Sequence, residues 1–225
     1  FLKKNDERFV HLTEHVKGQK GDQLKVTLFQ KGLCLAQVME WDSRGMTLEI
    51  CSDIQQGLER NLHLYLAYCR PPSLKKILQH GVGFPVKNLT LFHADLAEKS
   101  FAQSKVLQHE NLTKYLADGL SQCGTFQDWP QVHSTAKNLE KILEDLDESQ
   151  TFFLDPKSSL IFSDVTNTPE PLNLFIGPER GWTEQERECF HRRGVKPLKV
   201  SRSILRVEMA VFSALGQLEL TQHLV

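Results

Sequence analysis

Apolar positions in the first seventy residues fall into short runs at Gln23–Phe29, Leu33–Trp41, Met46–Cys51 and Leu62–Tyr68. Polar, turn-forming stretches separate them at Gln30-Lys31-Gly32 and Asp42-Ser43-Arg44-Gly45. Short runs at this spacing predict the strands of a small barrel or sandwich. In the second run, Leu33, Leu35, Gln37 and Met39 take one face, and Cys34, Ala36 and Val38 the other. Both faces are largely apolar, as a closed small barrel with one covered side requires.

The rhythm changes at Pro71-Pro72, a pair that continues no strand ladder and stiffens a junction. The chain therefore reads as two domains, 1–70 and 71–225. Ser73 is placed to cap a helix from Leu74, with Leu74, Ile77 and Leu78 on one stripe. Helices are predicted at Glu110–Cys123 and Leu139–Leu146, and strands at Lys87–Phe92, Thr151–Leu154 and Leu172–Ile176. After the last of these comes Gly177-Pro178-Glu179-Arg180-Gly181, then Thr183 as helix cap with Glu186 three residues on, a capping box. Gly194 is suited to end that helix in a left-handed conformation. A short strand around Pro197–Val200 and a polar loop, Ser201-Arg202-Ser203, lead to a final helix from Val207. Its apolar face carries Val207, Ala210, Val211, Ala214, Leu215 and Leu218. Alternating helix and strand predicts a mostly parallel sheet covered by helices on both faces.

Charge sharpens this picture locally. The chain of 225 residues has a formal net charge of −1, so no global field draws in nucleic acid. Between Arg187 and Arg206, however, seven basic residues (Arg187, Arg192, Arg193, Lys196, Lys199, Arg202, Arg206) face only Glu188. Such a window suits phosphate contacts, although basic residues near a helix C-terminus are also favoured by its dipole. Two loops leave the carboxyl ends of two strands here, where open parallel sheets bind ligands. Gly177 and Gly181 admit a close backbone approach, or simply serve a strand-to-helix turn.

Several classes drop out. There is no Walker loop, no G-x-S-x-G elbow and no complete G-x-G-x-x-G fingerprint. Histidines and cysteines show no metal-ligand spacing, so no metal is expected. Five cysteines without a C-x-x-C pair suit free thiols in a reducing compartment. No apolar run nears the roughly 20 residues of a membrane span. Phe1-Leu2-Lys3-Lys4 opens no signal peptide, so the expectation is a cytoplasmic protein.

The stretch Leu174–Thr183, with Ile204-Leu205-Arg206-Val207-Glu208-Met209-Ala210 following, resembles the RsmE family. These are 16S ribosomal RNA uracil-N3 methyltransferases of the SPOUT superfamily, marked by an L-x-I-G-P-E-G-G-[FLW]-[ST] loop and an L-R-x-E-T-A helix start. Weaker similarities lie at His11-Leu12, Lys17-x-x-x-Gly21-Asp22, Gln122-Cys123-Gly124 and Leu154-Asp155-Pro156. Arg180 replaces a glycine of the pattern and Met209 a threonine. If position 180 takes a positive φ, an arginine there is strained. The resemblance implies an α/β protein with an N-terminal PUA-like β-barrel for RNA and a C-terminal SPOUT domain closed by a deep trefoil knot. It implies a homodimer acting on 16S rRNA or the small ribosomal subunit with S-adenosylmethionine. The expected cofactor contacts are Leu154, Ile176, Gly177, Pro178, Glu179, Gly181, Val200, Ser201, Ser203, Ile204 and Leu205. Lys17, Arg180 and Arg202 are expected to meet RNA, and Arg206 and Glu208 to serve catalysis. Two alternatives stay open: a SPOUT relative that methylates another base, or one that binds RNA without catalysis.

Overall fold

A computed structural model describes residues 1–165 and 171–223. The chain divides into two compact units, one of residues 1–58 and 120–128, the other of 59–119 and 129–225.

The first unit holds β1 (Leu2–Lys3), α1 (Glu7–His11), a π-helical turn (Leu12–Val16), β2 (Gln23–Leu28), β3 (Gly32–Asp42) and β4 (Gly45–Ile50). These strands form a curled antiparallel half-barrel in the order β1-β4-β3-β2. The two predicted turns are the hairpin connections between β2, β3 and β4. Alternation along β3 comes out as read, with Cys34, Ala36 and Val38 buried. A bulge between Val38 and Glu40 shifts its register against β4. Phe9, Val38 and Met46 make the core, with Leu2, Leu12, Leu24, Trp41 and Leu48 packed against it.

The second unit begins with β5 (Leu62–Ala67), α2 (Pro71–His80) and β6 (Val86–Phe92). It continues with α3 (His109–Cys123), which spans the division between the units, then β7 (Gln131–Ser134) and α4 (Leu139–Leu143). It ends with β8 (Thr151–Leu154), β9 (Leu172–Ile176), α5 (Glu184–Arg192), β10 (Lys196–Leu198) and α6 (Val207–His223). All six strands run parallel in the order β10-β8-β9-β5-β6-β7. On one face Trp182, Phe92, Phe153, Phe175 and Phe190 join α4 and α5 in an aromatic core. On the other, Leu64 and Leu89 meet Ile77, Leu78, Leu116, Val211 and Leu215 of α2, α3 and α6.

Two expectations are corrected. Leu62–Tyr68 does not complete a barrel with the first four runs; β5 sits between β9 and β6 of the parallel sheet. A strand buried on both faces is apolar throughout, so its composition does not say which sheet it joins. Pro71 and Pro72 are not a linker either, because they open α2 with Arg70 as its cap, and Ser73 lies inside the first turn. Proline fits there since the first helical N–H groups lack intrahelical partners anyway.

Candidate functional site

Strand order fixes where this sheet can hold a ligand. From β5 the chain crosses through α2 to β6 on one side. From β9 it crosses through α5 past β8 to β10 on the other side. The connections diverge between β9 and β5, and a crevice opens outside the carboxyl ends of strands at such a switch point. The loop after β9 lies on it: Glu179 Oε1 accepts from the backbone N–H of Arg70 at 2.8 Å, 109 residues away in sequence.

That loop is held closely. Trp182 is 4% exposed, and its indole Nε1 donates to Leu154 O at the end of β8 at 2.9 Å. A Cβ on Gly177 would meet the Trp182 ring at 3.0 Å, so the residue that needs close approach to Gly177 is this indole. Gly181 has a φ of 69°, and its N–H closes a turn onto Pro178 O at 2.8 Å. Arg180 is not among the residues with positive φ, so it carries no strain. The capping box is present: Thr183 Oγ1 accepts from Glu186 N, and Glu186 Oε2 accepts from Thr183 N at 2.8 Å. Glu186 Oε1 also takes the Asp95 N–H at 2.9 Å, which ties the turn to the segment after β6.

The start of α6 meets the same helix as Glu179 does. Lys76 of α2 donates to Glu208 Oε1 at 3.2 Å. Glu208 is 5% exposed, and its Oε2 is buried with no hydrogen-bond partner of good geometry among the described residues. Burial pushes this carboxyl up. Hydrogen bonding from Ser73, its own backbone amide and Lys76 outweighs that and leaves it below the ordinary glutamate value. Cys69, at the end of β5, registers both carboxylates: burial first, then Glu179 and Glu208, push its thiol up to about 12. It is an inert thiol. The crevice thus carries two acidic side chains within electrostatic reach of one point.

The loop after β10 is more open. Lys199 N donates to Leu160 O at 2.8 Å, and Gln217 of α6 donates to Val200 O at 2.9 Å. Beyond that, Ser203 N reaches Ser201 Oγ at 3.1 Å, Arg202 and Arg206 are exposed, and Ile204 is 87% exposed. Because β8 lies between β9 and β10, the two loops start about 10 Å apart, two strand spacings, on one edge.

The profile of the RNA methyltransferase domain family matches residues 56–219. The chain belongs to that family. Ribosomal RNA small subunit methyltransferase E 1 of Borreliella burgdorferi is 24% identical over 213 residues, 93% of this chain and 88% of that protein. Ribosomal RNA small subunit methyltransferase E of Treponema pallidum is 30% identical over 161 residues, 68% of this chain and 59% of that protein. The fold is shared with the enzyme of that name from Neisseria gonorrhoeae, solved with S-adenosyl methionine. Their TM-score is 0.74 at 16% identity, over 96% of this chain and 90% of that one.

In this RNA methyltransferase the expected cofactor residues gather at one edge of the parallel sheet. Leu154, Ile176 and Pro178 are buried, Gly177 and Gly181 are half-buried, and Glu179 is exposed. Val200, Ser201 and Leu205 are half-buried, and Ser203 and Ile204 exposed. The Leu154 carbonyl already serves Trp182. The basic window divides. Arg187 pairs with Asp155 at 2.8 Å, Arg192 with Glu140 at 3.7 Å and Arg193 with Glu144 at 3.2 Å. Arg202 and Arg206 of the window, like Arg180, are exposed. Lys17 belongs to the first unit, in a left-handed conformation after the π-helical turn.

Sequence reasoning missed Arg70, Lys76, Trp182 as a packing residue, the bond of Ser73 to Glu208, and the Asp155–Arg187 pair. It also missed His93, whose ring lies 4.6 Å from that of Tyr68 at the ends of β6 and β5. Only Trp182 carried a local signal, as an aromatic residue between a glycine loop and a capping box.

Proposed function

We propose that this RNA methyltransferase transfers a methyl group from S-adenosylmethionine to N3 of a uracil in 16S rRNA of the small ribosomal subunit, in the cytoplasm and as a homodimer. The crevice between β9 and β5, closed by Glu179 on Arg70, carries the reading. The names of the relatives from Borreliella and Treponema support the substrate. The donor bound by the Neisseria protein, and by a methyltransferase of Legionella pneumophila with the same fold, supports the cofactor.

The residues present fit such a donor. It is cationic, and Glu179 and Glu208 put two carboxylates at the crevice; Glu208 Oε2, buried with no hydrogen-bond partner of good geometry among the described residues, can accept an N–H group. Ile204 is an uncovered apolar side chain suited to a flat purine. When bound, S-adenosylmethionine supplies an electrophilic methyl group on a sulfonium. Loop 177–181, with Leu154, Ile176, Val200, Ser201, Ser203 and Leu205, would hold it. This chain's part is then to align the acceptor nitrogen and exclude water. Uracil N3–H is weakly acidic and would give up its proton to solvent before the site closes and the nitrogen is alkylated. Arg206 faces its developing anion, where a fixed cation in a dry site is worth far more than in water. Glu208 orients the groups around it. Arg180 and Arg202, with Lys17 and the half-barrel, meet RNA phosphates.

The deep trefoil knot belongs to the same proposal. The segment after β8 reaches β10 and its loop, through Ser158 Oγ to Pro197 O at 2.9 Å and a parallel bridge between Ile161 and Lys199. From the other side α6 holds that loop by Gln217. Exposed Met209 and Leu220 on α6, with Ile204, give a second subunit apolar surface to cover. Among the described residues no helix is long and apolar enough to cross a membrane.

Mass spectrometry of rRNA nucleosides from a deletion strain tests the reaction. Loss of 3-methyluridine, restored by the gene, is expected. Loss of a different methylated base selects the relative with another target. RNA retention on filters with no uptake of S-adenosylmethionine selects binding without catalysis.

A further inference from the structure

Arg187 is one of the seven basic residues that read as an RNA-facing patch, yet the fold turns it inward. Its Nε donates to Asp155 Oδ2 at 2.8 Å, and the two side chains are only 16% and 5% exposed. Glu184 Oε2 stands 3.6 Å from Arg187 Nη1 on the outer side.

Asp155 is engaged at every polar atom around it. Oδ1 accepts Lys157 N at 2.9 Å, and its own N–H donates to Leu198 O at 3.0 Å. It directly follows Leu154, whose carbonyl takes the Trp182 indole. The Asp155 carboxylate therefore ties α5 to the end of β8, at a residue whose backbone N–H holds the end of β10 and whose neighbour Leu154 holds the loop after β9. The other arginine pairs of this helix, Arg192–Glu140 and Arg193–Glu144, are far more exposed and fasten no strand end. A buried pair is weak evidence for stability, because desolvation offsets its attraction; its best use is to fix one arrangement among several. Here the arrangement fixed is that of three strand ends.

We infer that the Asp155–Arg187 pair is a positioning element of the methyl-donor pocket. It acts through Leu154, Trp182 and the end of β10, not by touching the donor. The inference rests on the donor site proposed above. Breaking the pair strands a buried charge and costs stability as well, so its effect on donor affinity is separated from folding by reading both on the same samples.

Calorimetric titration of the full chain with S-adenosylmethionine tests it, with thermal unfolding measured on the same samples. Arg187→Met should raise the donor's Kd about tenfold, as loss of a preorganised pocket does. Arg187→Lys keeps a charge for Asp155 and should recover part of the loss. Leu116→Ala thins the core on the opposite face of the sheet, which includes none of Asp155, Arg187, Leu154 and Trp182. It should lower the melting temperature while leaving Kd within about twofold, as a packing change with no shared partner does. If Arg187→Met does not fold, Asp155→Asn carries the same expectation, since it keeps an acceptor and removes the charge. A folded Arg187→Met or Asp155→Asn protein with wild-type Kd overturns the inference. So does an equal loss of affinity in Leu116→Ala, which would make the effect one of stability alone. A wild-type protein that gives no heat with the donor overturns the donor site itself, and the pair's role falls with it.

Discussion

The loops after β9 and β10 leave the same edge of the same sheet, yet they are built differently. Residues 177–183 are held from three sides: by Arg70 at the start of α2, by Leu154 at the end of β8, and by Asp95 after β6. Their backbone ends in a glycine at φ 69° and a capping box, both of which fix direction. Residues 201–206 make one short bond of their own, from Ser203 N to Ser201 Oγ, before Arg206 O accepts Ala210 N and α6 begins. Arg202, Ser203, Ile204 and Arg206 are exposed, two of them cationic and one a bare isoleucine. A preformed loop suits a small molecule that must be bound in one pose, since ordering costs are already met. An open, basic loop suits a large polyanion or a second subunit that completes it on arrival. On the proposed function, the first loop serves the donor alone, while the second helps hold the donor and turns Arg202 and Arg206 to the acceptor.

The sharpest way to break that division is Gly177→Leu. A side chain there drives into the Trp182 indole, which is itself buried and hydrogen-bonded, so the preformed loop cannot keep its shape. Overpacking of this kind costs about 1–3 kcal/mol in stability. Titration with S-adenosylmethionine should give no measurable heat from a protein that remains folded. Unchanged affinity would remove the loop from the donor site. Arg206→Ala probes the other loop with the opposite signature. Its side chain is exposed, so stability should move by less than about 0.5 kcal/mol. Donor affinity should stay near wild type, while single-turnover methylation falls by about a hundredfold, the cost of one charge-stabilising group. Turnover at the wild-type rate would end its catalytic assignment.

The same contrast explains what the sequence could disclose. Elements governed by local chemistry were legible: β9 over Leu172–Ile176, the Thr183–Glu186 box, Gly194 at the end of α5, and α6 from Val207. The loop after β9, proposed to hold the donor, was legible as a turn, because glycine, proline and capping residues announce themselves within ten positions. Elements fixed by distant partners were not. β7, with Gln131, His133 and Ser134, has no apolar alternation and forms only because an open edge of β6 awaits it. β5 gave its strand character but not its sheet. At the site, Glu179 finds Arg70 across 109 residues, and Glu208 finds Lys76 across 132. Neither link follows from spacing. The basic window was overread for a related reason: composition counts charges but not the carboxylates that Asp155, Glu140 and Glu144 bring from other elements.

Glu208 sits where the open loop meets its anchor, and pH can show how firmly. Its carboxyl lies below the ordinary glutamate value of 4.5, because bonding from Ser73, its own amide and Lys76 outweighs the burial that raises it. A depressed carboxyl binds its proton more weakly when folded than when unfolded. It therefore contributes stability that is fully present above the unfolded value and lost as pH falls through the folded one. Lys76 is half exposed, so the contribution is modest, about 1 kcal/mol. Other depressed carboxyls, Asp6, Asp42 and Asp147, titrate in the same acid range, so the wild-type curve alone does not isolate it. The difference between wild type and Glu208→Gln does, since those three groups are common to both. Urea unfolding at a series of pH values should show the wild type ahead at pH 7, with the gap closing below about pH 4. A gap that stays constant through the acid range would mean that the shape of Glu208, not its charge, anchors the first turn of α6. The buried oxygen Oε2 would then lose its case as an acceptor for a donor or base N–H group.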